Sequence, residues 1–218
     1  MVDREISTVI FDLGGVIITP TQDEAVRRFA QLGITPQQLP LDKYAQSGLM
    51  GQMEGGDISA EDFRQGLSAM AGHPITHEQC RWAITGYVGD VPRRNLLLMQ
   101  ELRRQGYRLL LLSNTNPYMM EWALSPDFDG QGHPLSHYLD YCYCSYQIGI
   151  MKPNPDIFLH VLRKEHLDPG RAIFVDDSFS NVEAAQGVGL HTLLAVNGDD
   201  WTDSLLDSLG EEKVIPTL

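Results

Sequence analysis

Ser7-Thr-Val-Ile-Phe-Asp-Leu-Gly-Gly15 sets the architecture of this chain. Its first five residues are rich in β-formers and lack apolar/polar alternation. They therefore read as a strand covered on both faces, the pattern of a parallel sheet. The run ends on Asp12, and Leu13-Gly14-Gly15 breaks it.

Working outward, the same texture returns after residue 90. Tyr107-Arg-Leu-Leu-Leu-Leu-Ser113, 140–145, Ala172-Ile-Phe-Val175 before Asp176, and 191–196 predict four more strands. Amphipathic stretches at 92–105, 155–165 and 178–188 predict helices, the first stopped by Gly106 and the last by Gly189. Strands separated by helices imply βαβ crossovers and a doubly wound parallel α/β sheet. Between residues 19 and 90 the pattern is helical instead. Thr35-Pro-Gln-Gln38, Ser59-Ala-Glu-Asp62 and Thr76-His-Glu-Gln79 read as helix starts, and no strand is predicted from Thr21 to Asp90. The expected organisation is an α/β core of residues 1–18 and 91–218, with residues 19–90 inserted as a small α-helical cap.

Composition narrows the function. A chain of 218 residues suits one α/β domain with a small insertion. Sixteen Lys and Arg against 29 Asp and Glu give a net charge of −13. That charge argues against nucleic acid or an anionic membrane as partner, and any anionic substrate needs a local cation. Three cysteines without framework spacing argue against a secreted disulfide fold. Cys142 and Cys144 alternate, so they share one strand face and read as small apolar core residues. The charged N-terminus does not resemble a signal peptide, and no apolar run approaches a membrane span. A cytoplasmic protein, monomeric or homodimeric, is expected.

Four features stand at carboxyl ends of strands, where ligands bind in such sheets: Asp12, Ser113-Asn114, Lys152 in Met-Lys-Pro, and Asp176-Asp177. Taken singly, each has an ordinary reading as a turn, a helix cap or a solvated loop residue. In this order they resemble the haloacid dehalogenase-like (HAD) hydrolase superfamily. The matching strings are Val9-Ile-Phe-Asp-Leu-Gly-Gly-Val16, Leu111-Leu-Ser-Asn114, Met151-Lys-Pro153 and Phe174-Val-Asp-Asp177. The resemblance implies a Rossmann-like core and a nucleophilic Asp12 that forms an aspartyl-phosphate. It implies Mg²⁺ held by Asp12, the Gly14 carbonyl and Asp176, with Asp177 orienting water at the ion. Lys152 would neutralise phosphate and Asp12, while the Ser113 hydroxyl and the Asn114 backbone N–H would donate to phosphoryl oxygens. Ser178 and Asn181 are weaker candidates for outer positions, with helix capping as the alternative.

One position departs from the superfamily motif. A second Asp, the general acid and base, ordinarily stands two residues after the nucleophile; here it is Gly14. Three explanations stay open: a substrate with a good leaving group, another acid (Asp177, a cap residue or water), or a protein that binds phosphorylated ligands with little turnover. Gly14 argues against a phosphoglucomutase, and Asp176-Asp177 favours a phosphatase over a metal-free 2-haloacid dehalogenase. The leading expectation is a Mg²⁺-dependent hydrolase of small phosphomonoesters, with sugar phosphates the expected class. The alternatives are a catalytically weak phosphate-ligand binding or regulatory protein and, as a minor one, the dehalogenase. A cap closing over the site favours a small phosphorylated metabolite as partner. Thr19, Gln22 and Asp23 near the hinge, Tyr44, Met50 and Met53 in the cap, and Thr115 and Asn116 after the second motif are candidate substrate readers. For the two methionines core packing is the favoured reading.

Overall fold

The computed structural model describes residues 5–41 and 47–211. Strand β1 (Thr8–Phe11) leads into a compact loop in which Ile17 and Ile18 N–H both donate to the Leu13 carbonyl. The chain then forms β2 (Thr19–Pro20) and helices α1 (Asp23–Gln31), α2 (Gly48–Gly55), α3 (Ala60–Ala71) and α4 (His77–Ile84). Strand β3 (Val88–Asp90) returns antiparallel to β2, so a two-stranded ribbon joins both ends of this helical block. The ribbon is the strand that sequence pattern did not predict. Three residues containing Gly89 are too short to show a period.

The α/β alternation then resumes with α5 (Arg93–Arg104), β4 (Arg108–Ser113), α6 (Pro117–Ala123), β5 (Tyr141–Cys144), α7 (Ser145–Ile148), α8 (Pro155–Glu165), β6 (Ala172–Asp176), α9 (Phe179–Gly187), β7 (His191–Leu194) and α10 (Thr202–Leu209). The five core strands are parallel in the order β5-β4-β1-β6-β7. Chain order reverses direction at β1, which lies between β4 and β6. Asp12, Ser113 and Asp176 thus end neighbouring strands at the topological switch point.

Side-chain alternation builds a core on each face. Val9, Phe11, Leu109, Leu111, Ile173 and Val175 pack into the larger one. Ile10, Leu110, Leu112 and Phe174 point the other way, under α8 and α9. This double burial explains why β1 reads as a continuous apolar run. Cys142 and Cys144 do share a face, against the larger cluster. Burial pushes their thiols up to about 11 and about 12, and that of Cys80 to about 11, so none is poised as a nucleophile.

Helix starts follow local chemistry. Ser59 with Asp62 and Thr76 with Gln79 each form a complete capping box. Thr35 makes part of the same pattern, with its N–H donating to Gln38 Oε1 at 2.9 Å, but no helix follows. Pro40 lies where the next turn would need an N–H, and a single turn results. Beyond β7 the polar tail also forms α10. Trp201, Leu205 and Leu206 are buried against the larger cluster, each worth roughly 1.5–3 kcal/mol of burial. Among the described residues, no helix is long and apolar enough to cross a membrane.

Candidate active site

Asp12 is positioned by the sheet and by the turn after it. Its N–H continues the ladder to the Val175 carbonyl at 2.9 Å, and its Oδ1 accepts the Leu13 N–H at 2.7 Å. Lys152 reaches it from the loop before α8. The ammonium lies 3.0 Å from Asp12 Oδ1 and 2.6 Å from Asp176 Oδ2, and donates to the Leu112 carbonyl at 2.9 Å. All three ammonium hydrogens therefore have acceptors. The lysine side chain is 1% exposed, Asp176 0% and Asp12 13%, so these charges interact away from bulk water.

Burial lowers the pKa of the Lys152 ammonium, but Asp12 and Asp176 outweigh it and hold the pKa above the ordinary lysine value. Burial pushes Asp12 up, Lys152 and Ser113 pull it down, Asp176 adds repulsion, and the net shift is upward. The site thus holds a fixed cation among carboxylates that are costly to leave uncompensated.

Asn114 fixes the lysine from outside. Its side-chain amide donates to the Lys152 carbonyl at 2.9 Å and accepts the Lys152 N–H at 2.8 Å. Asp176 is fixed from α9: Asn181 donates to both of its oxygens, and the Ser178 N–H donates to Oδ1 at 2.8 Å. These bonds tie Asp176 to the start of α9, where the Ser178 side chain makes no capping bond.

Oxygens of Asp12, Asp176 and Asp177 lie within 4.8 Å of one another. A hard, oxygen-only donor set of this size suits Mg²⁺ better than a softer metal. Gly15 adds a close approach: at φ +77° its Cα faces Asp177, and a Cβ there would overlap the Asp177 carboxylate. The donor set therefore fits a small divalent cation, and Gly14 lines the same cavity as Asp12 and Asp177.

Two spaces with shared lining residues lie at the strand ends. One is lined by Asp12, Ser113, Asn114, Lys152, Asp177 and Asn181. The other shares Gly14, Pro20, Ser113 and Asn114 with it and extends to Thr115, Asn116, Met119 and Glu54. The sequence-derived set of Asp12, Gly14, Ser113, Asn114, Lys152, Asp176 and Asp177 is thus brought together at one place. Of the candidate substrate readers, Thr115 and Asn116 line the second space. Met50 and Met53 are buried in the core, Gln22 donates to the Leu41 carbonyl at 2.6 Å, and Tyr44 lies outside the described residues. Glu54, near the end of α2, was not legible as a site residue. Met-Glu-Gly-Gly carries no motif spacing, and only the docking of α2 places it.

The family model for haloacid dehalogenase-like hydrolases matches residues 6–189. This chain belongs to that family. It is similar to a D-ribitol-5-phosphate phosphatase of Bacteroides thetaiotaomicron, with 40% identity over 92% of this chain and 97% of that protein. A HAD-like hydrolase structure from Porphyromonas gingivalis superposes with a TM-score of 0.87 at 36% identity, covering 95% of this chain and all of that one. A HAD family enzyme of B. thetaiotaomicron, solved in complex with magnesium and inorganic phosphate, superposes with a TM-score of 0.80 at 30% identity, covering 91% of this chain and 98% of that one.

Proposed function

We propose that this chain is a Mg²⁺-dependent phosphatase of small phosphorylated polyols or sugars, with D-ribitol 5-phosphate the first substrate to test. The observation that carries this reading is the buried Asp12–Lys152–Asp176 arrangement, with Asp12 and Lys152 lining a cavity at the strand ends together with Ser113, Asn114 and Asp177. The phosphatase similar to this chain and the magnesium- and phosphate-bound structure support it. Residues 19–90 serve as the cap, hinged at the ribbon of β2 and β3, and the rest forms the core.

Asp12 attacks phosphorus, forming an aspartyl-phosphate that water then hydrolyses. Lys152 keeps Asp12 oriented and neutralises charge brought by the phosphate. The Ser113 hydroxyl and the Asn114 backbone N–H donate to phosphoryl oxygens. Asp12, the Gly14 carbonyl and Asp176 hold Mg²⁺, and Asp177 completes the acidic set and orients water. When bound, the ion supplies positive charge that lets two anions meet.

The test is phosphate release from polyol and sugar phosphates, acyl phosphates and nucleotides, with Mg²⁺ or EDTA. Metal-dependent release is the expected result. Saturable binding without release would favour a phosphate-ligand binding protein, and halide release from a 2-haloacid in EDTA would favour the dehalogenase.

Gly15→Ala tests the metal assignment without touching a proposed ligand. A Cβ at positive φ costs roughly 1–2 kcal/mol, and this one must also displace Asp177. Mg²⁺ affinity by calorimetric titration should fall about 10-fold or more, as disturbance around a metal site does. Unchanged affinity would remove Asp177 from the neighbourhood of the ion.

A further inference from the structure

Release of a polyol from its phosphate raises a proton problem. An alkoxide is a poor leaving group, and the ester oxygen must gain a proton as the P–O bond breaks. Position 14 offers no side chain for this. An ideal Cβ built there meets nothing within 4 Å, so a side chain could start from this position without a clash at its first atom.

Gly14 and Glu54 line the same cavity. The approach of Glu54 is built, not incidental. Its backbone carbonyl accepts the buried Ser145 hydroxyl at 2.6 Å, and that hydroxyl accepts the Thr115 N–H at 3.0 Å. Two residues on, Gly56 turns at φ +79° with its Cα against the Tyr146 carbonyl, too close for a side chain. The end of α2 is thereby pinned to the loop carrying Thr115 and Asn116. The carboxyl is aimed by Asn116, whose amide donates to Oε1 at 3.4 Å and whose own oxygen caps α6.

We propose that Glu54 is the proton donor and acceptor of the reaction, supplying from α2 the carboxyl that Gly14 lacks. The inference rests on the phosphatase reading above. In the first step an Asp12 oxygen bonds to phosphorus, the P–O ester bond breaks, and its electron pair goes to the ester oxygen. That oxygen takes the Glu54 proton and leaves as alcohol. In the second step water attacks the phosphorus of the aspartyl-phosphate, the Glu54 carboxylate takes the water proton, and Asp12 leaves as carboxylate. The products are alcohol and phosphate, with Glu54 protonated again.

The environment suits the protonated starting state. Burial, foremost, and the Asp12 charge, against the weak Asn116 bond, push Glu54 up to about 8. Among the described residues, no Lys or Arg forms an ion pair with it. An acid with a pKa near the working pH serves well in both directions of transfer.

The test is Glu54→Gln, read as kcat/KM on two esters with Mg²⁺: D-ribitol 5-phosphate, whose leaving group needs a proton, and p-nitrophenyl phosphate, whose leaving group does not. Loss of the acid should cost about 10²–10⁴-fold on the polyol ester and less than about tenfold on the aryl ester. Equal losses on both, or no loss on the polyol ester, would overturn the assignment and leave the phosphatase reading standing. A wild type inactive on these esters and on every other phosphate of the panel above would remove that reading and this one together. Adding Gly14→Asp to Glu54→Gln places a carboxyl at that position and should restore at least tenfold on the polyol ester. A double variant no faster than Glu54→Gln would contradict the proposal.

Discussion

Asp12→Asn is expected to lose phosphate release by about 10⁴-fold or more, the scale seen when a covalent nucleophile is removed, with the fold intact. The amide keeps an oxygen able to accept the Lys152 ammonium, now 3.0 Å from Asp12 Oδ1, so the packing at the strand end changes little. What disappears is the anionic oxygen that attacks phosphorus. Residual activity within tenfold of wild type, on protein purified free of contaminating phosphatase, would remove Asp12 from the nucleophile's role.

Lys152→Met has the largest expected effect on stability. The methionine fills the same volume but leaves the Leu112 carbonyl without its donor and the Asp12 and Asp176 carboxylates facing each other without a cation. Breaking a buried charge pair in this way costs about 3–5 kcal/mol, which for a chain of this size lowers the Tm by roughly 10 °C. Thermal melts without metal are the measurement. A Tm within about 2 °C of wild type, less than 1 kcal/mol is worth here, would mean that water or protonation already relieves the site. Turnover should fall too, because the phosphate then meets two carboxylates without the lysine's charge.

The residues of the core site were legible in the sequence because strand ends in a parallel sheet are local features. Each short apolar run stops at a polar residue, and the stops at Asp12, Ser113 and Asp176 converge once the strands align; Lys152, expected at a strand end, instead reaches them from the loop between α7 and α8, beyond the end of β5. The strand order β5-β4-β1-β6-β7 brings three of those ends side by side. The cap was legible only as helical texture. Its ribbon is too short for periodicity, and the turn at Thr35 carries a capping signal that Pro40 cuts off. Helix α10 was hidden because few apolar residues, Leu205, Leu206 and Leu209, with Trp201 just before it, pack it against the core. Glu54 was illegible for a different reason. Its place depends on Ser145 and Tyr146, some ninety residues away, and no local pattern encodes contact across that separation.

The covalent step is open to direct observation. Enzyme mixed with excess D-ribitol 5-phosphate and Mg²⁺, quenched in acid during turnover and digested, should yield a peptide carrying a phosphoryl group on Asp12. Asp12→Asn treated in the same way should yield none. Steady phosphate release with Asp12 unmodified at every quench time, or a phosphoryl group on another residue, would contradict the assignment of Asp12 as the nucleophile.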